Sequence, residues 1–126
     1  MSEYAAPLRD IRFVMQELAG LDRVVALPGC EEATPDVVDA ILEEAARFSG
    51  EMLSPLNRVG DTKGAKWRDT VVTTPPGFKE AYRQFVDNGW NGLGCDPEFD
   101  GQGHPRLLST AVSETWKAAN HAYSLC

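Results

Sequence analysis

Hydrophobic residues recur along this chain mostly at the spacing of helices. Between Pro7 and Ala19, Leu8, Ile11, Val14, Met15 and Leu18 share one helical side, which predicts a short helix. Pro7 suits its first turn, where a missing N–H costs nothing, and Gly20 suits the residue just past its end. Residues 21–33 contain the turn pair Pro28-Gly29 and read as a connecting arm. The clearest periodicity follows. Val37, Ile41, Ala45, Phe48, Met52, Leu56 and Val59 step by three or four, Val38, Leu42 and Leu53 widen the stripe, and Asp39, Glu43, Arg47, Glu51 and Arg58 take the opposite face. That is an amphipathic helix with one buried side. Thr34 can cap it, Pro35 fits its first position, and Asp36 favours the positive end of its dipole. Pro55 cannot donate to the carbonyl of Glu51, so a kink or break is expected there, and Gly60 offers an end.

Beyond Gly60 the chain is polar as far as Pro75. The β-branched run Thr70-Val71-Val72-Thr73-Thr74 predicts a short extended piece, but one such strand cannot build a sheet. After Pro75-Pro76, Phe78, Ala81, Tyr82, Phe85 and Val86 lie on one side of a third helix, which Asn88-Gly89 closes. Residues 89–105 hold Gly89, Gly92, Gly94, Gly101 and Gly103, with Trp90, Leu93 and Phe99 as apolar anchors, and predict a long ordered glycine-rich loop. A last helix begins near Pro105 with Leu108, Ala111, Val112, Thr115, Ala119, Ala122 and Cys126 on one face, its alanines allowing a neighbour close approach. It carries no stop signal, which implies truncation of a longer polypeptide. The expected fold is an all-α helical bundle. Residues 1–33 form an N-terminal extension of short helix and arm, and residues 34–126 a helical domain truncated at its C-terminus.

Composition narrows the function classes. A chain of 126 residues suits one domain, and 43% hydrophobic with 25% charged residues is ordinary for a globular protein. A net charge of −7, with no local cluster of Lys and Arg, argues against nucleic acid as a partner. No apolar run approaches the roughly 20 residues of a membrane helix, and Met1-Ser2-Glu3-Tyr4 lacks the basic start of a signal peptide, so no membrane and a cytoplasmic location are expected. Cys30, Cys95 and Cys126 are odd in number and form no CxxC pair, so reduced thiols are expected.

Motifs that carry chemistry are approached and missed. Gly60-Asp61-Thr62-Lys63-Gly64-Ala65-Lys66-Trp67 has Ala65 and Trp67 where a phosphate loop needs Gly and Ser or Thr. Gly92-Leu93-Gly94-Cys95-Asp96-Pro97 has proline where a dinucleotide fingerprint needs its third glycine. Asp96 to Gly101 fits the first half of a calcium loop, but Leu107 stands where the bidentate glutamate belongs. His104 and His121 have no second ligand at zinc spacing; His104 can cap the last helix and His121 reads as a surface residue. The serines lack a nucleophile-elbow context, and Trp67, Trp90 and Trp116 read as core and interface packing. No catalytic, cofactor-binding or metal residue is assigned.

Taken in order, these segments resemble the N-terminal helical domain of the acyl-CoA dehydrogenase family. The motif carrying most of the resemblance is Gly89-Trp90, then Gly92-Leu93, then Pro97-Glu98-Phe99-Asp100-Gly101-Gln102-Gly103, with Asp100 standing where the family more often has Gly; Glu114 matches the acidic residue of the following helix. Thr74-Pro75-Pro76-Gly77-Phe78-Lys79-Glu80-Ala81-Tyr82 and Tyr4 to Phe13 resemble the longer members with an N-terminal extension, of the 3-methylmercaptopropionyl-CoA dehydrogenase type. The resemblance implies a parent enzyme of three parts, this helical domain, a middle β domain and a C-terminal helical domain, which binds FAD and an acyl-CoA thioester and uses an electron acceptor. A carboxylate takes the α proton and the β-hydride passes to the flavin. The family's base and most flavin contacts lie beyond residue 126, so the fragment alone is expected to be inactive and without cofactor. Tyr123 and Ser124 are the candidates for a wall of the acyl-chain pocket. A homo-oligomeric parent is expected, and the isolated fragment is expected to self-associate through the face of the last helix. The alternative is a free-standing helical module that holds a partner protein on an apolar helix face.

Overall fold

The computed structural model describes residues 4–125. Seven helices form there, α1 (Leu8–Phe13), α2 (Leu21–Val25), α3 (Pro35–Phe48), α4 (Ser54–Lys63), α5 (Phe78–Asp87), α6 (Arg106–Ala119) and α7 (His121–Ser124), with one small sheet of β1 (Lys66–Arg68) and β2 (Val71–Thr73). The fold is thus mostly helical, and among the described residues no helix is long and apolar enough to cross a membrane.

The core lies between α3 and α6. Val38, Leu42 and Ala45 cluster with Leu108, Ala111 and Val112, and Ile11, Met15, Trp90 and Leu93 belong to the same core. Small side chains at Ala45 and Ala111 let the two backbones come close. The helices run in the same direction, because Ser49 bonds Thr115 and Leu53 bonds Asn120. A second cluster, Phe48, Leu53, Ala81 and Ala119, continues the core under α5. Leu42 and Leu108 are fully buried, and truncating either to alanine costs about 2–5 kcal/mol.

Thr34 caps α3 as its sequence predicts, accepting from the N–H of Val37 at 3.4 Å. Of the predicted stripe, Val38, Leu42, Ala45, Phe48 and Leu53 are buried, while Val37 at its edge is exposed. Pro55 does not break the long helix outright. Ser49–Leu53 instead form a π-turn, in which the Ser54 N–H reaches back five residues to the Ser49 carbonyl, and Pro55 falls in the first turn of α4, where its missing N–H is tolerated. Gly60 does not end α4, which continues to Lys63 and stops at Gly64 with φ +62°. Gly60 is a packing glycine: a Cβ there would lie 2.9 Å from the Phe78 ring.

The first segment also contains a π-turn, Val14–Leu18, which leaves Val14 and Leu18 exposed. Gly20, at φ +70°, then reverses the chain into α2, so the expected arm holds a helix that buries Leu21. Arg12 pins α1 to α3: Nε donates to Asp39 at 2.8 Å and Nη2 to Glu43 at 3.0 Å. These partly exposed pairs contribute about 0.2–1 kcal/mol each.

Val71–Thr73 has the partner that the sequence hides. Lys66–Arg68 pairs with it antiparallel, Trp67 opposite Val72, around a two-residue turn in which Asp69 and Thr70 take positive φ, 49° and 66°. Trp67 is 72% exposed, so it packs no core. The apolar face of the last helix is already covered by α3, which leaves it unavailable for the self-association expected of it. That helix also stops early: Asn120, at φ −156°, separates α6 from α7, and Ala122 is exposed. Cys126, assigned to the same face, lies outside the described residues, as do Met1, Ser2 and Glu3.

Thr70 is a β-branched residue in a left-handed conformation, which costs about 1–2 kcal/mol. Thr70→Gly removes that strain against a smaller loss to unfolded-chain entropy. Hydrogen-exchange protection of the hairpin amides should rise about threefold; unchanged or reduced protection would show that the turn is relaxed as it stands.

Candidate functional site

The segment after α5 folds on itself through its backbone. Gly89, at φ +76°, closes α5, and Trp90 and Leu93 are buried. The Gln102 N–H donates to the Gly92 carbonyl at 2.8 Å, Gly103 to Cys95 at 2.9 Å and His104 to Leu93 at 3.0 Å, while Gln102 Nε2 reaches the Gly89 carbonyl at 2.9 Å. Gly101 packs so closely on the Cys95 carbonyl that no Cβ fits. Asp100 takes φ +62°, a left-handed position that glycine adopts without cost and aspartate more readily than most residues. Its place in the motif is therefore compatible with a loop built for glycine.

Two readings of this segment change. Phe99 is 76% exposed and anchors nothing. His104 does not cap α6, whose N-cap residue is Pro105 and has no side-chain bond. The Asp96 carboxylate is engaged by the Glu98 N–H at 2.9 Å, which makes it a turn-forming group. Between this loop and the arm lies a cleft of about 470 Å³ lined by Cys30, Glu31, Glu32, Gln102, Gly103 and His104 among others. Backbone N–H groups of Glu31 itself and Gly29 hold the Glu31 carboxyl below its ordinary range, so this wall is negative.

The sequence-predicted wall residues sit at the other end of α6. Tyr123 is half-buried, its ring 5.9 Å from Phe78 and 6.4 Å from Phe85, which in turn meets Trp116 edge-on at 4.9 Å. The Tyr123 hydroxyl and the indole N–H groups of Trp90 and Trp116 are buried and have no hydrogen-bond partner among the described residues. Burial, with a smaller contribution from Tyr82, pushes the Tyr123 phenol up to about 12. Ser124 is spent locally, donating to the His121 carbonyl at 3.0 Å. The structure therefore brings Tyr123 onto an aromatic floor and keeps Ser124 beside it at the helix end.

Beneath them lie polar groups that the periodicity treated as ordinary helix positions. Ser49 Oγ donates to Thr115 Oγ1 at 2.9 Å, and Thr115 Oγ1 in turn donates to the Val112 carbonyl at 2.8 Å. Asn120 is buried, donating to the Leu53 carbonyl at 3.1 Å and accepting from the Tyr123 N–H at 3.0 Å. An Asn three residues before the N–H it caps is a readable signal, but the running apolar pattern masks it. Among the described residues no three His, Cys, Asp or Glu side chains gather to hold a metal. The arrangement supplies shape and an apolar surface with one phenol.

The phenol also sets a pH response. Its folded value lies above the unfolded value near 10, so folding holds the proton more tightly and stability falls as pH rises from about 10 to 12. Tyr123→Phe should flatten that fall in chemical denaturation at pH 9 and pH 11. At neutral pH it should leave stability unchanged or raised by up to about 1 kcal/mol, because an unpaired buried hydroxyl is lost. A variant much less stable at pH 7 would reveal a bond to the phenol.

No family model matches the chain. Over 123 residues, 98% of its length, it is 42% identical to the 3-methylmercaptopropionyl-CoA dehydrogenase of Ruegeria pomeroyi and covers 21% of that protein. Over 124 residues, 97% of its length, it is 24% identical to the broad-specificity linear acyl-CoA dehydrogenase FadE5 of Mycobacterium tuberculosis and covers 20% of it. The chain thus spans about a fifth of the length of the curated relatives it matches. Along nearly its whole length, then, this chain is similar to acyl-CoA dehydrogenases.

Proposed function

We propose that this chain is the N-terminal helical part of an FAD-dependent acyl-CoA dehydrogenase, an enzyme that removes hydrogen across the α,β bond of acyl-CoA thioesters. The observation that carries this reading is the 42% identity sustained over 98% of the chain, on a helical fold. Within that enzyme the part played here is structural. The end of α6 and α7 presents Tyr123 and Ser124 as one wall of the acyl-chain cleft, where the aromatic floor of Phe78, Phe85 and Trp116 offers an apolar surface.

The cleft beside the glycine-rich segment does not suit the pyrophosphate of a flavin nucleotide. The loop cleft is walled by Glu31 and Glu32 with no Lys or Arg among its lining, and such a wall repels a pyrophosphate. The flavin contacts and the base belong, on this reading, to the remainder of a homo-oligomeric cytoplasmic enzyme, together with its electron acceptor. The fragment alone is then inactive.

The test grafts this chain onto the R. pomeroyi enzyme in place of the matching segment and follows acyl-CoA oxidation with a dye acceptor. The graft should retain activity within about tenfold, and Tyr123→Ala should raise KM about tenfold with kcat little changed, the signature of lost uniform binding. The free chain supplied with FAD and acyl-CoA should show no turnover. Turnover by the free chain, or a graft that binds flavin and yet oxidises nothing, would contradict the proposal.

A further inference from the structure

We propose that Asn120 is the positioning residue of the Tyr123–Ser124 face, a latch that ties this face to the π-turn at Ser49–Leu53; only its consequence for substrate binding rests on the function proposed above. Asn120 is 1% exposed. A primary amide is costly to bury unless both its ends are bonded. Both are: Nδ2 holds the Leu53 carbonyl and Oδ1 holds the Tyr123 N–H. An ordinary helix cap serves only its own helix. This one also reaches a carbonyl 67 residues earlier in the chain.

The position of that carbonyl gives the latch its meaning. Leu53 is the last residue of the π-turn and Ser49 the first, and Ser49 is itself bonded to Thr115. Both ends of the turn are thus fastened to one side of α6 and its extension. Asn120 further sets the direction of α7, since its extended backbone, φ −156° and ψ 91°, is where α6 stops. Among the described residues the Tyr123 hydroxyl has no hydrogen-bond partner, so the ring is positioned by packing and by the backbone bond that Asn120 accepts. Removing the amide frees the face while leaving the α3–α6 core in place.

The chain contains 3 tyrosines, so labelling with 3-fluorotyrosine gives a small set of ¹⁹F resonances, and Tyr123→Phe assigns one of them. In Asn120→Ala the Tyr123 line should move toward its unfolded position well below the melting temperature, with the Tyr4 line unmoved. Asn120→Ser keeps an acceptor for the Tyr123 N–H but drops the reach to Leu53; it should give a smaller shift, and it carries the comparison if the alanine variant fails to fold. Thr115→Val, which breaks the neighbouring buried bond, should lower the melting temperature without moving the Tyr123 line. A Tyr123 line that stays in place in a folded Asn120 variant, or that moves equally in Thr115→Val, overturns the proposal. In the grafted enzyme Asn120→Ala should raise KM for acyl-CoA about tenfold with kcat within about twofold. A shifted ¹⁹F line with unchanged KM upholds the latch and sinks the substrate-wall reading instead.

Discussion

The structure depends on how α6 is fastened to the π-turn between α3 and α4. Apolar burial brings the two helices together, but burial is non-directional and tolerates sliding. Two buried polar contacts remove that freedom. Ser49 on Thr115 and Asn120 on Leu53 fix both the register of the helices and the rotation of α6. Each contributes only about 0.5–1.5 kcal/mol net, yet leaving one partner unsatisfied costs about 1–3 kcal/mol. A slipped register would leave both pairs unmade, so the polar contacts select one arrangement among those the apolar surfaces allow.

That fastening follows from a local constraint. Pro55 has no N–H to give, and a regular helix through it would lose a bond and clash with the turn before it. The π-turn absorbs the problem by letting Ser54 reach back to Ser49. The distortion also places Ser49 and Leu53 against α6. From there the consequences run outward: α6 sets Trp116 against Phe85, Asn120 turns the chain, and Tyr123 settles on Phe78 and Phe85.

Much of this is legible in the sequence, unevenly and for physical reasons. The helical run shows its periodicity most clearly over residues 35–53, where one side is buried, and Thr34 and Gly89 read correctly because caps and left-handed positions select few residue types. The hairpin is hidden because Lys66-Trp67-Arg68 lies wholly in solvent, and an unburied strand has no apolar alternation to display. Phe99 and Trp67 mislead because a large apolar residue is assumed to be inside, whereas exposed ones are common. Asn120 is missed because its neighbours Ala119 and Ala122 continue the helical pattern through it. Tyr123 and Ser124 come from the family resemblance. In the segment after α5, Gly89 and Gly103 take positive φ, and Gly101 makes a close backbone contact.

On the proposed function, this seam of helices holds the Tyr123 face against the acyl chain of the substrate. The most direct measurement is a crystal structure of the chain fused to the remainder of the R. pomeroyi dehydrogenase with an acyl-CoA bound. The account predicts acyl carbons within about 4 Å of the Tyr123 ring, contact distance for apolar groups, with Asn120 still bridging Leu53 and the Tyr123 N–H. An acyl chain bound elsewhere, with Tyr123 facing solvent or another domain, would contradict it.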